Sequence, residues 1–404
     1  MNSKPLSYES RKILMEYLPF MIRMKLSRRC PSLRTIEKLV PLRLNNVTLD
    51  VRFTLDNTEF WLEVVRKCPV GVPVPGCFRH GFDTALDTLD QHGVPDIEDR
   101  NSWTPGDIVR RNHIAEEAED PIADLEQQIE EIADEQTEDG QYVNDMDYIE
   151  MLEIQLQAFK NRRDNILSPY QLVYRLKVTQ EGQQPQFFYS DVDMKYSAKS
   201  KQLAEFLFGG RPVPISVKEL TIEDGDRTIR MPPGPIFKIR RLSLSNLLHN
   251  NINAASALHD SSFPLERLSV ISFEPDDRNC PIVGNANELS VNVLVGQQSI
   301  IGFIMGNENP ALRIRGLDED GVSYEELIEI IIQLRTRKRD ICLRLLFDEA
   351  PEFHNRLNDI ARQFRADRID NYLRIPIEGN LYLRIDFERA VPFVVSLKTV
   401  RITM

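Results

Sequence analysis

Between Val217 and Phe347 one short apolar phrase recurs: VKELTI at Leu220, IRRLSL at Leu242, LERLSV at Leu268, NELSVN at Leu289, PALRIR at Leu312 and DICLRL at Cys342. The intervals are 22, 26, 21, 23 and 30 residues. Within each phrase apolar and polar residues alternate, as in Leu242, Leu244 and Leu268, Val270. Alternation of period two predicts a strand with one face buried and one face wet. A strand that returns every ~20–29 residues predicts units that stack on their neighbours, because none can bury its apolar row alone.

That spacing and the L-x-L strand are those of an irregular leucine-rich repeat. Asn246, four residues after Leu242, lies near the place of the repeat's asparagine, which the other phrases lack. A second reading fits the same spacing: a mixed α/β domain whose strands fall at similar intervals. Parallel, sequence-ordered pairing of these strands is the expectation that separates the two.

The net charge of −12 is unevenly placed. From Asn112 to Phe159 there are sixteen acidic residues and no Lys or Arg; removing them leaves 46 acids against 50 bases. Neither part predicts a nucleic-acid partner. The least charged long stretch, Leu289–Asn307, carries Asn292, Gln297 and Gln298 and three glycines, so no membrane span is expected. No basic segment followed by an apolar run opens the chain. Cys30, Cys68, Cys77, Cys280 and Cys342 are scattered and odd in number. They predict reduced thiols and a cytoplasmic or nuclear protein.

Residues 1–41 predict short helices. Ser7 is a candidate N-cap, Glu9 follows in the first turn, and Leu14, Tyr17, Leu18 and Met21 share a face before or across Pro19. Leu42 to Val65 changes to period two, with a turn at Asp56-Asn57, and predicts a β-hairpin. Gln171–Thr179 and Gln186–Val192 predict two strands that extend it into one antiparallel sheet over 42–195. An acidic helical hairpin, about 112–166, interrupts this region. Ile122, Leu125, Ile129, Ile132 and Ile149, Leu152, Leu156, Phe159 mark its two apolar stripes, short coiled-coil-like seams. Its charge predicts a loose insert that adds little core. Residues 196–404 predict the repeat solenoid, with Ser200–Phe208 as its first helix, a helix over Pro351–Ala366, and a cap of three strands over Tyr372–Ile402.

Chemistry is sparse. No phosphate-loop, dinucleotide-loop, zinc-protease or nucleophile-elbow motif occurs. Cys68, Cys77, His80 and His92 include a Cys-x2-His spacing that suits zinc, but residues of these types also meet in loops by chance. Asp318, Glu319 and Asp320 could form a carboxylate site or a solvated loop, and Arg335–Arg339 a phosphate contact or a helix C-terminus. The expectation is a protein without enzyme activity, cofactor or metal, and a carboxylate hydrolase is the remote alternative.

Leu6-Ser7-Tyr8-Glu9, Leu14–Pro19, then Arg23, Leu26 and Cys30–Arg34 resemble an F-box over about thirty residues. Ser7 replaces the motif's proline, Leu33 its tryptophan, and Ser10 and Arg11 two usually apolar helix positions. The phrases Arg29–Arg34, Thr104–Ile108 and Ser262–Leu265 resemble a nematode-expanded family of uncharacterised F-box-like proteins with a leucine-rich-repeat-like C-terminal half. The resemblance implies an α/β architecture: F-box-like helices, an antiparallel sheet with a helical insert, and an irregular solenoid. It implies a substrate-receptor subunit of an SCF-type ubiquitin ligase. Leu6, Leu14, Tyr17, Leu18, Pro19, Arg23, Leu26 and Cys30 would bind the adaptor, and the repeat surface a protein target. A scaffold whose F-box no longer binds the adaptor is the alternative.

Overall fold

A computed structural model of the chain describes residues 7–109, 116, 118–139, 142–223, 227–234, 236–245, 255–273, 275–294, 300–317, 324–337, 340–347, 358–369, 372–377, 381–388 and 393–401. The fold is mixed α/β, and the chain divides into two units. One is Met1–Ile215 with Gly225–Ile236; the other is Ser216–Asp224 with Phe237–Met404.

The first unit opens with α1 (Tyr8–Tyr17), α2 (Phe20–Arg29) and α3 (Pro31–Leu39). Local chemistry sets these bounds. The Ser7 hydroxyl accepts the Ser10 N–H at 3.2 Å, with Glu9 in the first turn. Pro19 stands at the N-cap of α2 and Pro31 at the first turn of α3, where a missing N–H costs nothing.

A meander follows: β1 (Arg43–Leu49), β2 (Arg52–Leu55) and β3 (Thr58–Lys67). The single hairpin expected over Leu42–Val65 thus holds three strands. The chain also turns at Asp50-Val51, where Asp50 N–H reaches Arg52 O at 3.1 Å. Val51 kept the apolar alternation intact through that turn and concealed it. The second turn is pinned by Asp56, which has φ 49° and accepts the Asn45 and Asn46 N–H groups at 2.7 and 3.0 Å. The two-residue β4 (Thr84–Ala85) pairs with β3. After α4 (Ile97–Asn101), the acidic α5 (Pro121–Asp139) and α6 (Tyr142–Arg163) intervene. Then β5 (Gln171–Gln180) pairs antiparallel along all of β3, and β6 (Gln186–Asp191) pairs with β5, as the alternation predicts. Phe60, Leu62 and Val64 point to the covered face of this sheet. Phe20 meets Phe60 edge-on there, with ring centres 6.3 Å apart. Leu62, Val64 and Tyr174 pack with Tyr196 of α7 (Tyr196–Leu207).

Two expectations change here. The acidic hairpin is not a loose appendage. Leu152 and Ala158 of α6 are buried, Glu150 accepts the Gly76 and Cys77 N–H groups at 3.1 and 2.6 Å, and Arg162 pairs with Asp90 at 2.9 Å. Its carboxylates are absorbed by backbone donors and by cations such as Lys160, 2.7 Å from Glu126. The helix expected to open the repeats, now α7, belongs instead to the first unit. Ala204, Leu207 and Phe208 are buried, and Phe208 meets Phe53 at 5.5 Å.

In the second unit β7 (Ile215–Ile222), β8 (Phe237–Leu244), β9 (Arg267–Phe273), β10 (Glu288–Leu294), β11 (Ala311–Leu317) and β12 (Asp340–Phe347) are neighbours in sequence order. Pairing is parallel from β8 to β12. Bonds from Ile215 N–H to Ile236 O and from Ser245 N–H to Ile222 O, at opposite ends, set β7 parallel to β8. Leu242, Leu268, Leu289 and Leu312 form one register row, each no more than 1% exposed. The row continues at Ile341, one residue before the expected Cys342, which is opposite Arg313. A one-residue shift moves a side chain to the other face of the sheet. Short α8 (Pro281–Gly284), α9 (Ile300–Gly306) and α10 (Tyr324–Arg337) lie in the connections. On α10, Leu327, Ile330, Ile331 and Leu334 are buried at helical spacing. Asn246 lies outside the described residues, as do Asp318, Glu319 and Asp320. After β12 the sheet turns antiparallel through β16 (Phe393–Arg401), β15 (Leu381–Glu388), β14 (Tyr372–Pro376) and β13 (Asp367–Ile369). The helix expected over Pro351–Ala366 is described over 358–364.

Candidate functional site

Helices α1 to α3 bury a small core of Met15, Ile36 and Val40, against which Leu18, Leu26 and Leu33 pack. Beside it is a charged cluster. Arg23 and Arg211 both approach the buried Glu37 carboxylate, at 3.3 and 2.5 Å, and all three side chains are at most 3% exposed. Arg23 also donates to the carbonyls of Pro41, Glu37 and Val40 at 3.1, 3.1 and 3.2 Å. Those carbonyls end α3, so the guanidinium satisfies backbone acceptors that a helix C-terminus leaves open. Arg211 donates to the Glu37 carbonyl at 3.2 Å and so ties the segment after α7 to α3. Lys38 donates to Phe206 O at 2.7 Å, and burial, with Arg211 nearby, pulls its pKa down to about 8.

Outside this core, large apolar side chains of α1 and α2 remain at the surface. Tyr8, Ile13, Leu14, Tyr17 and Ile22 are exposed, Tyr17 to 83%. The eight residues that the resemblance assigns to the adaptor therefore separate. Leu14, Tyr17 and Pro19 are exposed, while Leu18 and Leu26 are half-buried against Met15 and Ile36. Cys30 sits between α2 and α3 with its thiol 3.2 Å from the Ser32 hydroxyl. Leu6 lies outside the described residues. Arg23 is turned inward and cannot touch a partner in this arrangement. Ile13 and Ile22 are exposed as well; the motif comparison did not single them out. No spacing signal links Glu37 to Arg211, because they lie far apart in the chain.

A second buried polar cluster organises the loop before α5. The Thr104–Asp107 turn closes with Thr104 N–H on the Asp107 carboxylate at 2.9 Å. Gly106, at φ 96°, presses on Pro232, so that a Cβ would stand 2.4 Å from the Pro232 oxygen. The buried Asp107 takes Arg230 at 3.2 Å, Lys201 at 3.2 Å and Met231 N–H at 3.1 Å. Asp99 caps α7 by accepting Ser197 N–H at 3.2 Å. These groups hold three chain segments together; Asp99, Ser197 and Arg230 also line a small cavity with Asp87 and Arg227.

The candidate zinc residues disperse. His92 is buried with Nδ1 2.6 Å from Ile166 O. Cys77 is buried beside Glu150, and desolvation and that carboxylate push its thiol up to about 12. Cys68 is half-buried, and the side chain of His80 is not described. Among the described residues no group of three or more His, Cys, Asp or Glu is placed to hold a metal. No described helix is long and apolar enough to cross a membrane.

Residues 195–344 match the profile of a domain of unknown function (DUF3557). The matched stretch runs from just before α7 into β12 and contains the first five recurring phrases and the start of the sixth. No curated protein and no solved structure matches the chain.

Proposed function

We propose that this chain is a non-enzymatic protein-binding protein, the substrate-receptor subunit of an SCF-type ubiquitin ligase, acting in the cytoplasm or nucleus. The observation that carries the reading is the exposure of large apolar side chains on α1 and α2: Tyr8, Ile13, Leu14, Tyr17 and Ile22. Ile13, Leu14 and Tyr17 share one side of α1, and apolar side chains left in water are what a partner would cover. The F-box resemblance falls on the same helices and names the adaptor as that partner. The leucine-rich-like ladder supplies the second surface. Its L-x-L row is spent on the core, and the opposite face carries charged residues such as Arg267 and Arg313 flanking Glu288 at 2.7 and 2.9 Å. A protein target is the class of ligand for such a face.

One observation favours the scaffold alternative. Arg23, an adaptor residue by resemblance, is used internally, and Ser7 and Leu33 depart from the motif. Affinity purification of the full chain with mass spectrometry tests both readings. Recovery of the SCF adaptor with a target supports the receptor, and recovery of other proteins without adaptor supports the scaffold.

A further inference from the structure

Strand β6 ends the sheet of the first unit: among the described residues its only strand neighbour is β5. Every second backbone group along it is therefore unpaired by the sheet. Natural edges are protected by lysine, proline, a bulge or an inward charge. Here the register from Gln186 to Asp191 is unbroken, and the strand reads Gln-Phe-Phe-Tyr-Ser-Asp, without lysine or proline. Phe187 and Tyr189 are 46% and 55% exposed.

Each of the three successive aromatics carries a cation. Arg175 lies 5.7 Å from the centre of the Phe187 ring, Arg28 4.4 Å from Phe188 and Lys67 5.0 Å from Tyr189. Successive residues point to opposite faces of a strand, so Arg28 approaches from the helix-covered face and Arg175 and Lys67 from the other. Arg175 is neutralised by Glu63 at 2.7 Å. Among the described residues Arg28 and Lys67 have no carboxylate within ion-pair distance. Each face of the open edge thus carries one cation without an ion-pair partner among the described residues, Arg28 or Lys67, resting on an aromatic ring, while Glu63 and Asp83 are taken up by Arg175.

We propose that β6 is a docking edge for an extended acidic peptide, which adds to the sheet as a further antiparallel or parallel strand. Backbone hydrogen bonds to β6 would supply affinity, and carboxylate side chains reaching Lys67 and Arg28 would supply selection. The charge pattern argues against a second copy of this chain. Pairing β6 with itself about a two-fold axis brings Arg28 and Lys67 of both copies together, and like charges across strands repel.

The test uses the full chain and hydrogen exchange of the β6 amides. The probe is a capped eight-residue peptide of alternating glutamate and threonine, with its lysine-for-glutamate counterpart as control. The expected result is slowed exchange over Gln186–Asp191 with the acidic peptide and none with the basic one. Lys67→Glu weakens acidic-peptide binding by at least about tenfold, and Lys67→Gln by less. Lys67 is exposed, so both variants keep the wild-type melting temperature. Equal protection by both peptides, no protection at millimolar acidic peptide, or wild-type binding in Lys67→Glu overturns the proposal. So does protection that rises with protein concentration alone, the mark of a second copy, or protection by an oligothymidylate but not by the peptide.

Discussion

In the ladder, Leu242, Leu268, Leu289 and Leu312 fill one buried register row; in the first unit, Arg23, Glu37 and Arg211 meet in one buried charged cluster. The first row is many copies of one apolar contact. The second is a single meeting of charges that works only when complete. Loss of one leucine removes its burial and leaves a cavity. Loss of one carboxylate leaves two guanidinium groups out of water without a counter-ion, which costs more.

The sharpest test of that contrast is Glu37→Gln. It should lower unfolding stability by about 3–5 kcal/mol, read by urea denaturation. Replacing the whole cluster, Arg23→Met with Glu37→Leu and Arg211→Met, should recover most of the loss, because no charge is then left unpaired. Leu289→Ala should follow at about 3 kcal/mol. A Glu37→Gln cost well below that of Leu289→Ala would break the contrast.

The same contrast explains what could be read from the chain. The ladder was legible because alternation and interval both repeat, and six phrases average out local noise. The one slip, at Cys342 instead of Ile341, came at the longest interval, where the phrase had the weakest anchor. The meander was legible except at Asp50-Val51, where an apolar residue inside a turn mimicked a strand. Helical spacing placed Leu14, Tyr17 and Leu18 on one face; the structure exposes Leu14 and Tyr17 but half-buries Leu18 against Met15 and Ile36. The charged half of the candidate site was not legible. Arg23 looked like an outward basic residue, and only folding brings Arg211 to Glu37. Likewise the sixteen acids of 112–159 gave no hint that Glu150 would cap the backbone at Gly76 and Cys77.

Glu150→Gln sharpens the comparison within the first unit. The Cys77 and Gly76 N–H bonds hold the Glu150 carboxyl below its ordinary 4.5. Its contribution is therefore present above that pH and lost as pH falls through the lower folded-state value. Glu150→Gln should cost about 1–2 kcal/mol at neutral pH, and the gap to wild type should close on acidification. A gap that persists at low pH would mean that shape, not charge, holds α6.

Lys38→Met has the opposite sign. The folded Lys38 titrates at about 8 against an ordinary 10.5, so the folded state resists protonation. Below pH 8 the ammonium is held at full cost; between 8 and 10.5 the unfolded state binds the extra proton and wild type gains stability. Wild type should improve relative to Lys38→Met when urea midpoints are compared at either end of that window. A constant difference would show that Lys38 does not titrate there.

In the proposed receptor, α1 and α2 present a surface for another protein while α3 and the sheet hold them in place. Titration of purified SCF adaptor into the full chain and into Leu14→Ala/Tyr17→Ala, with melting temperatures of both, tests it directly. Truncating such apolar anchors should cost ~2–4 kcal/mol of binding, roughly thirtyfold or more in affinity. The predicted result is micromolar or tighter binding by wild type, its loss in the double variant, and a nearly unchanged melting temperature, because both side chains are exposed. A wild-type chain that does not bind the adaptor at micromolar concentrations, or a double variant that melts many degrees lower, would contradict it.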